Sequence, residues 1–130
     1  MTTTLFGRGK SSPGRVTARD AALRTGHATG RGGDALLLDV REPHEWRAGH
    51  APGAVHMPLA ALAAGTGLPA GARDRRPVIV ICRSGNRSRR AAGLLLARGV
   101  EAVDVIGGMR AWAACGLPVV DAHGGDGTVA

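Results

Sequence analysis

Aromatic residues are scarce in this chain of 130 residues, which has no tyrosine, one phenylalanine and two tryptophans. Proteins that bind single-stranded nucleic acids stack the bases on aromatic side chains, and this chain has almost none to offer. The formal net charge of +7 favours anionic partners. The basic residues are nevertheless spread along the chain, with small clusters only at 73–76 and 87–90. We therefore expect no nucleic-acid partner, and we expect the excess charge to help small anionic substrates approach.

Cysteine is equally scarce, since Cys82 and Cys115 are the only two. Two cysteines make neither a disulfide framework nor a zinc pattern. No apolar run is long enough to span a membrane, and Met1–Arg8 lacks the apolar core of a signal peptide. A chain of this length can bury about two-thirds of its unfolded surface, which is enough for a core without disulfides or metal ions. These absences predict one domain in a reducing, cytoplasmic setting, with no membrane partner.

The most informative stretch places a cysteine between a strand and a helix. Residues 78–81 are four consecutive β-branched apolar residues, typical of a strand buried on both faces of a parallel sheet. An Ala/Leu-rich helical pattern follows and stops at Gly99. Cys82 should therefore face the amino end of a helix, where open α/β sheets bind ligands. Free helix N–H groups, the helix dipole and nearby arginines lower a cysteine pKa from about 8.5 to roughly 3.5–7.5. The alternative, a buried and inert cysteine, fits this electropositive loop less well.

The rest of the chain alternates between strand and helix patterns. Such alternation predicts an α/β fold with a mainly parallel sheet of about five strands and helices on both faces. Residues 1–15 are predicted to be a flexible segment, and 121–130 a loose tail. The other predicted strands are 35–40, 54–57 and 102–106, with 118–120 extending along the sheet, and the other predicted helices are 16–26, one starting within 41–46, 59–64 and 109–115.

Four stretches share their order and spacing with a known family. They are LLDVREPHEW at 37–46, GHAPGAVHMPL at 49–59, CRSGNRS at 82–88, and GGMRAW at 107–112 followed by GLPV at 116–119. Together they resemble the single-domain rhodaneses, the sulfurtransferase family, over residues 16–120. The resemblance implies a rhodanese-like three-layer fold for 16–120. It also implies a transferase with a Cys82 thiolate nucleophile, and we expect no cofactor and no metal.

The chemistry that the resemblance implies is sulfur transfer through a persulfide. Cys82 would attack the outer sulfur of a donor such as thiosulfate, and an acceptor such as cyanide, a thiol or a thioredoxin-like protein would then take the sulfur. Two half-reactions predict ping-pong kinetics. Loop N–H groups would face the thiolate and the persulfide, and Gly85 would permit the required backbone. Arg83 and Arg87 are candidates for attracting a dianionic donor, Arg87 as a fork-like clamp. The predicted binding loop is Arg83, Ser84, Gly85, Asn86, Arg87 and Ser88.

Two other functions compete with this interpretation. Cysteine phosphatases also place a cysteine before a helix, with an arginine six residues later. Here Arg87 comes one position early, and Ser88 takes the arginine's place. A shorter loop forms a smaller binding site, and a loop that lacks one residue misplaces its hydrogen-bond donors by more than phosphate-ester hydrolysis tolerates. A non-enzymatic rhodanese-like sulfur carrier or protein-binding module is the second alternative, and the retained cysteine favours the enzyme over it.

Several further residues are candidates for supporting or structural roles. Asp39, at a strand end, is predicted to support the active loop by hydrogen bonds. Arg41 and Glu42 are predicted to form structural hydrogen bonds or an ion pair near the pocket. The even spacing of His44, His50 and His56 does not suit a metal site on one helix face. Trp46 and Trp112 are predicted core aromatics, and Cys115 is predicted to be buried, with a role as a resolving thiol only if it can reach Cys82.

Overall fold

The computed structural model describes residues 14–30, 32–69, 72 and 76–130. The predicted flexible segment therefore lies outside the described residues over 1–13. Strands and helices alternate along the described chain, and none of these helices has the length and apolar character needed to cross a membrane. In order they are β1 (Arg15–Val16), α1 (Ala18–Thr25), β2 (Leu36–Asp39), α2 (Pro43–Ala48), β3 (Val55–His56), α3 (Leu59–Ala63), β4 (Val78–Ile81), α4 (Asn86–Ala97), β5 (Ala102–Val105) and α5 (Gly108–Ala114).

The strands form one five-stranded sheet in the order β1-β5-β4-β2-β3. Every neighbouring pair is parallel. Strand β4 lies at the centre, where Val80 is in register with Leu38 of β2 on one side and with Asp104 of β5 on the other. Because all residues of β2, β4 and β5 are buried, their near-continuous apolar runs suit strands covered on both faces.

A separate apolar core covers each face of the sheet. Alternate strand residues point to opposite faces, so Leu38 and Val80 pack with Leu95 of α4 and Leu62 of α3 in one core. The other core joins Ile79 and Val103 to the alanine face of α1 and to Met109 and Trp112 of α5. Helices therefore lie on both faces of a parallel sheet, and the predicted three-layer α/β fold is confirmed.

The helix boundaries follow the signals in the sequence. The side chain of Thr17 accepts a hydrogen bond from the backbone N–H of Asp20 at 3.1 Å, and Gly26 ends α1 in the left-handed region. Pro43 occupies the tolerated first turn of α2. Glu42 and Glu45 cap that helix reciprocally, which satisfies N–H groups that a helix start leaves free.

The amino-terminal edge of the sheet differs from the prediction. The sequence assigns residue 15 to a flexible segment and Val16 to a helix. In the structure Arg15 and Val16 form β1 and pair with Asp104 and Val105. Thr17, as the helix cap, keeps an extended backbone, so residues before it can join the sheet edge.

The carboxyl-terminal segment also differs. Residues 118–120 do not extend the sheet, because Val120 pairs with His50 in an isolated antiparallel bridge. The chain then turns and returns, so that Val120 also pairs with Asp126. The N–H of Thr128 donates to the carbonyl of Ala48 at 3.0 Å, and Val129 packs against the core under α5. The segment predicted as a loose tail thus makes defined contacts with the domain.

Candidate active site

Cys82 directly follows the central strand β4, at the carboxyl edge of the sheet. Only 1% of the surface of Cys82 is exposed to solvent. The next residues, 83–85, bend the chain into the start of α4 at Asn86. The thiol therefore lies where strand, loop and helix amino terminus meet, as the sequence predicts for a ligand site.

The backbone of the loop points hydrogen-bond donors at the sulfur. The N–H of Gly85 donates to Cys82 Sγ at 3.1 Å, and the N–H of Ser88 donates to it at 3.3 Å. Gly85 adopts φ 108°, a conformation that side-chain-bearing residues rarely take. This glycine lets the loop curl over the sulfur so that two N–H groups converge on one atom.

A second glycine allows α5 to hold the loop from the other side. The backbone N–H groups of Met109 and Arg110 donate to the carbonyls of Cys82 at 2.7 Å and Arg83 at 3.1 Å. Gly108 precedes them with φ 56°, and a Cβ there would overlap the carbonyl oxygen of Cys82. The approach of α5 to the loop therefore requires glycine at this position.

Arg87, the expected clamp for an anionic donor, is held by a carboxylate. Its two terminal nitrogens donate to Glu45 Oε1 at 2.7 Å and Oε2 at 2.9 Å. This two-pronged hydrogen bond is the main cause that lowers the pKa of Glu45 from 4.5 to about 2. In turn the hydrogen bonds to Glu45 raise the pKa of Arg87. The pair ties helix α2 to the first turn of α4, beside the sulfur.

Ser88 connects the sulfur to a partly buried ion pair on the opposite side. Its Oγ lies 3.3 Å from Cys82 Sγ and donates to Asp104 Oδ2 at 2.7 Å. Asp104 is fully buried and forms a salt bridge with Arg15 Nε at 2.9 Å. Arg15 also donates to the carbonyl of Gly85 at 3.0 Å. Strands β1 and β5 thus reach the loop through one connected set of polar contacts.

The other loop residues lie at the surface of the site. Arg83 is partly exposed, and its Nε donates to the backbone carbonyl of Ala130 at 2.7 Å. Ser84 and Asn86 are exposed. Of the six predicted loop residues, Gly85 and Ser88 contact the sulfur directly.

Asp39 and Arg41 form an ion pair at the end of β2. The Nη2 of Arg41 donates to Asp39 Oδ2 at 2.8 Å and to the carbonyl of Gly49 at 2.7 Å. Both side chains are buried, and the carbonyl of Arg41 contacts His56 Nε2 at 2.8 Å. Among the described residues, the side-chain hydrogen bonds of Asp39 go to Arg41 and not to the Cys82 loop. The partner of Arg41 is therefore Asp39 rather than Glu42. The pair organises the corner that joins β2, α2 and β3.

His50, His56 and the two tryptophans occupy structural positions, whereas His44 is exposed. Trp46 is only partly buried and stacks on His50, with ring centroids 3.6 Å apart, and on His56, at 4.7 Å. Trp112 is fully buried, as expected of a core aromatic. Across the described ranges, no cluster of three or more His, Cys, Asp or Glu residues is arranged to hold a metal ion.

Cys115 is exposed, so the prediction that it is buried is wrong. It caps the carboxyl end of α5, whereas the amino end of that helix contacts the Cys82 loop. Seven helical residues separate the two ends by roughly 10 Å. Residues 113–116 are all exposed, because the chain leaves the core at this end of α5.

Three charged residues at the site escaped the interpretation of the sequence. Glu45 pairs with a residue 42 positions away, and no local pattern indicates that pairing. Arg15 lies in a segment with few apolar anchors. Asp104 alone carried a usable signal, because a carboxylate that interrupts an apolar strand must find a partner when it is buried.

The arrangement can stabilise negative charge on a sulfur atom. Two fixed N–H groups point at Sγ, the amino end of α4 faces it, and Arg87 contributes a positive charge that Glu45 largely balances. Such a site supports a nucleophilic thiolate or a sulfur-bearing anion attached to it.

Comparisons with known proteins show the family and the fold of this chain. Residues 25–115 match the model of the rhodanese-like domain. A rhodanese-related protein from Thermoplasma volcanium is 30% identical, with a TM-score of 0.67, over 82% of this chain and 97% of that one. A rhodanese-like domain protein from Staphylococcus aureus is 25% identical, with a TM-score of 0.64, over 80% and 95%. A Rhodopseudomonas palustris protein of unknown function, described as a possible tyrosine phosphatase, is 25% identical, with a TM-score of 0.70, over 92% and 98%.

Proposed function

Because this chain belongs to the rhodanese-like domain family, a family that includes sulfurtransferases, we propose that it transfers a sulfane sulfur from a donor such as thiosulfate to a thiophilic acceptor. Cys82 carries the sulfur as a persulfide between the two half-reactions. The observation that carries the proposal is the pair of backbone N–H groups, from Gly85 and Ser88, that converge on Cys82 Sγ.

The first half-reaction begins with the Cys82 thiolate and the outer sulfur of thiosulfate. A bond forms between Sγ and that sulfur, the sulfur–sulfur bond of the donor breaks, and its electron pair leaves on sulfite. The product is a persulfide anion on Cys82. The loop N–H groups stabilise this charge because they are fixed in place before the charge develops. No proton has to be supplied to the leaving group.

In the second half-reaction the acceptor takes the outer sulfur. Cyanide or a thiolate attacks it, the persulfide bond breaks, and its electron pair returns to Cys82 Sγ. A free thiolate is thereby restored, and the two half-reactions produce ping-pong kinetics. A thiol or a thioredoxin-like protein is the proposed cellular acceptor, and a cytoplasmic setting would keep such thiols reduced.

Phosphatase activity is the rival activity, since one structural neighbour is described as a possible tyrosine phosphatase. A phosphatase needs a free arginine fork for the phosphate oxygens. Both terminal nitrogens of Arg87 are engaged by Glu45, and the loop is one residue shorter than the phosphatase pattern. These two features favour sulfur transfer over phosphoryl transfer.

A non-enzymatic sulfur carrier is the second alternative, and it differs from the enzyme in turnover. Both would form a persulfide on Cys82, but only the enzyme would pass many sulfurs to cyanide. The N–H groups aimed at Sγ favour a reacting Cys82 over a module that only binds proteins, and turnover separates the enzyme from the carrier.

The deciding experiment combines intact mass with steady-state turnover. After thiosulfate treatment we expect the mass of one added sulfur atom, which cyanide then removes, together with continuous formation of thiocyanate. Cys82→Ser should abolish both signals, and Cys115→Ser should keep both, because the exposed thiol lies outside the loop.

Three results would decide against the proposal. Full turnover in Cys82→Ser would sink the mechanism. A persulfide that forms once without turnover would favour the carrier. Hydrolysis of an aryl phosphate at a rate comparable with sulfur transfer would favour the phosphatase.

A further inference from the structure

The hydroxyl of Ser88 has a single hydrogen and two neighbours that compete for it. Its Oγ lies 2.7 Å from Asp104 Oδ2 and 3.3 Å from Cys82 Sγ. An ionised carboxylate can only accept hydrogen bonds, so the hydrogen of Ser88 points at Asp104. Ser88 can then only accept from the S–H of Cys82, and the arrangement in the structure belongs to the protonated thiol.

Once Cys82 loses its proton, this arrangement becomes unfavourable. The thiolate accepts hydrogen bonds only, so an Oγ that also presents a lone pair would repel it. If the hydrogen of Ser88 turns to the sulfur, the thiolate gains a third donor beside the N–H groups of Gly85 and Ser88. Asp104, which is fully buried, then loses one of its partners.

Arg15 makes that turn energetically accessible. Its Nε donates to Asp104 Oδ1 at 2.9 Å and its Nη2 to Oδ2 at 3.2 Å. Asp104 therefore keeps two charge-assisted hydrogen bonds when the hydroxyl leaves, and it avoids the cost of an unpaired buried charge. The same Nη2 donates to the carbonyl of Gly85 at 3.0 Å. The Arg15 guanidinium therefore also holds Gly85, whose own N–H donates to the sulfur.

The other charges around Cys82 do not reach it through Ser88. Arg87 on α4 is paired with Glu45 on α2, and Asp39 and Arg41 after β2 are paired with each other. Arg83 in the loop donates to the carbonyl of Ala130. The pair formed by Arg15 on β1 and Asp104 on β5 is therefore the one placed to control the hydroxyl.

We propose that Arg15 and Asp104 are positioning residues that allow the Ser88 hydroxyl to alternate, donating to Asp104 when Cys82 is a thiol and to Cys82 Sγ when it is a thiolate. In the change, the S–H bond breaks, its proton passes to water, and the Ser88 hydrogen turns without leaving its oxygen. Nothing is oxidised or reduced. This inference deepens the proposed function and rests on Cys82 being the reacting thiol.

The test measures how fast iodoacetamide alkylates Cys82 across a range of pH, in a Cys115→Ser background so that one thiol reports. Arg15→Gln should slow alkylation at neutral pH by about tenfold and move the pH dependence upward, because Asp104 then retains the hydroxyl. Asp104→Asn should accelerate alkylation severalfold, because the hydroxyl is released and a negative charge is removed.

The two variants are expected to act in opposite directions, which a purely structural role would not produce. In a Ser88→Ala background, Arg15→Gln should barely change the alkylation rate, because no hydroxyl remains for Asp104 to hold. Arg19→Gln, at an exposed position on α1, is the matched control and should leave the rate unchanged.

Two outcomes would overturn the inference. One is slower alkylation in both Arg15→Gln and Asp104→Asn, which would indicate a general loosening of the loop. The other is that Arg15→Gln slows alkylation by the same factor in the Ser88 and Ser88→Ala backgrounds, which would mean that the charge of Arg15 acts directly on Cys82. Alkylation needs no sulfur donor, so failure to turn over thiosulfate would refute the proposed function without deciding this test.

Discussion

The two cysteines of this chain have opposite surroundings. Cys82 is buried at the amino end of α4, and its sulfur accepts hydrogen bonds from two backbone N–H groups. Cys115 is exposed at the carboxyl end of α5, where the helix dipole is negative and disfavours a thiolate. It lines a mostly apolar groove with Leu23 and Leu117, and Arg19 is the one charged side chain among the described residues of that lining. Position in the fold, and not residue type, separates a candidate nucleophile from an ordinary thiol.

The largest contrast should come from the glycine beside each cysteine. Both Gly108 and Gly116 have positive φ, but only at Gly108 would a Cβ collide with the loop. Gly108→Ala should therefore displace the Cys82 and Arg83 carbonyls. We expect it to cost on the order of 2–4 kcal/mol in the free energy of unfolding and to lower turnover by about a hundredfold or more.

Gly116→Ala is the matched control, because it carries the same backbone strain without the collision. It should cost about 1 kcal/mol and leave turnover near the wild-type value. Urea denaturation and thiocyanate formation check both variants. Equal losses of activity in the two would show that the approach of α5 to the loop does not matter.

A smaller effect is expected from the Glu45–Arg87 ion pair that flanks Cys82. Glu45→Gln removes the charge opposite Arg87, and we expect a loss of roughly 1–3 kcal/mol in the free energy of unfolding near neutral pH. The side chain of Glu45 is 9% exposed and that of Arg87 is 32% exposed, so solvent screens only part of the pair. Glu101→Gln, at an exposed position before β5, should have little effect.

The same pair predicts how acid acts on stability. The pKa of Glu45 is lowered from 4.5 to about 2, so the unfolded state binds a proton before the folded state does. The contribution is complete above the higher value and is lost as the pH falls towards the lower one. The difference in unfolding free energy between wild type and Glu45→Gln should shrink over that range. A constant difference from neutral pH down to about pH 2 would contradict this origin.

The smallest predicted effect concerns the arginine next to each thiol. Arg83→Ala should raise the KM for thiosulfate by about fivefold at low salt, because a partly exposed charge attracts a dianion by roughly 1 kcal/mol. Arg19→Ala, which alters the groove beside Cys115, should not change KM. Initial rates at low and high ionic strength measure both, and a salt-independent KM for wild type would remove Arg83 from donor attraction.

Most of the fold could be predicted from local patterns. The β-branched run at 78–81, the Thr17 cap and the glycine at 26 all correspond to observed element boundaries, because each signal acts within a few residues. The carboxyl-terminal segment could not be predicted in this way. Its backbone pairs with His50 and Ala48, which are distant in sequence, so its composition alone resembled a loose tail.

The site was predictable only in part, for the same reason. The position of Cys82 follows from the order of strand, loop and helix. The partner of Arg87 does not follow from that order, since the sequence around Arg87 suggests a guanidinium that is free to bind an anion. Folding instead brings Glu45 to it, and a residue expected to clamp a substrate becomes half of an ion pair.

Short-range patterns in the sequence account for the alternation of strands and helices, the place of Cys82 at the end of a buried strand, and the glycine that lets the loop curl. These depend on periodicity and backbone freedom, which neighbouring residues set. Which charges meet around the sulfur depends instead on long-range packing, which brings Glu45 to Arg87 and pairs Arg15 with Asp104 behind Ser88. Buried charges must find partners wherever the fold supplies them, and those partners came from strands and helices far away in the chain.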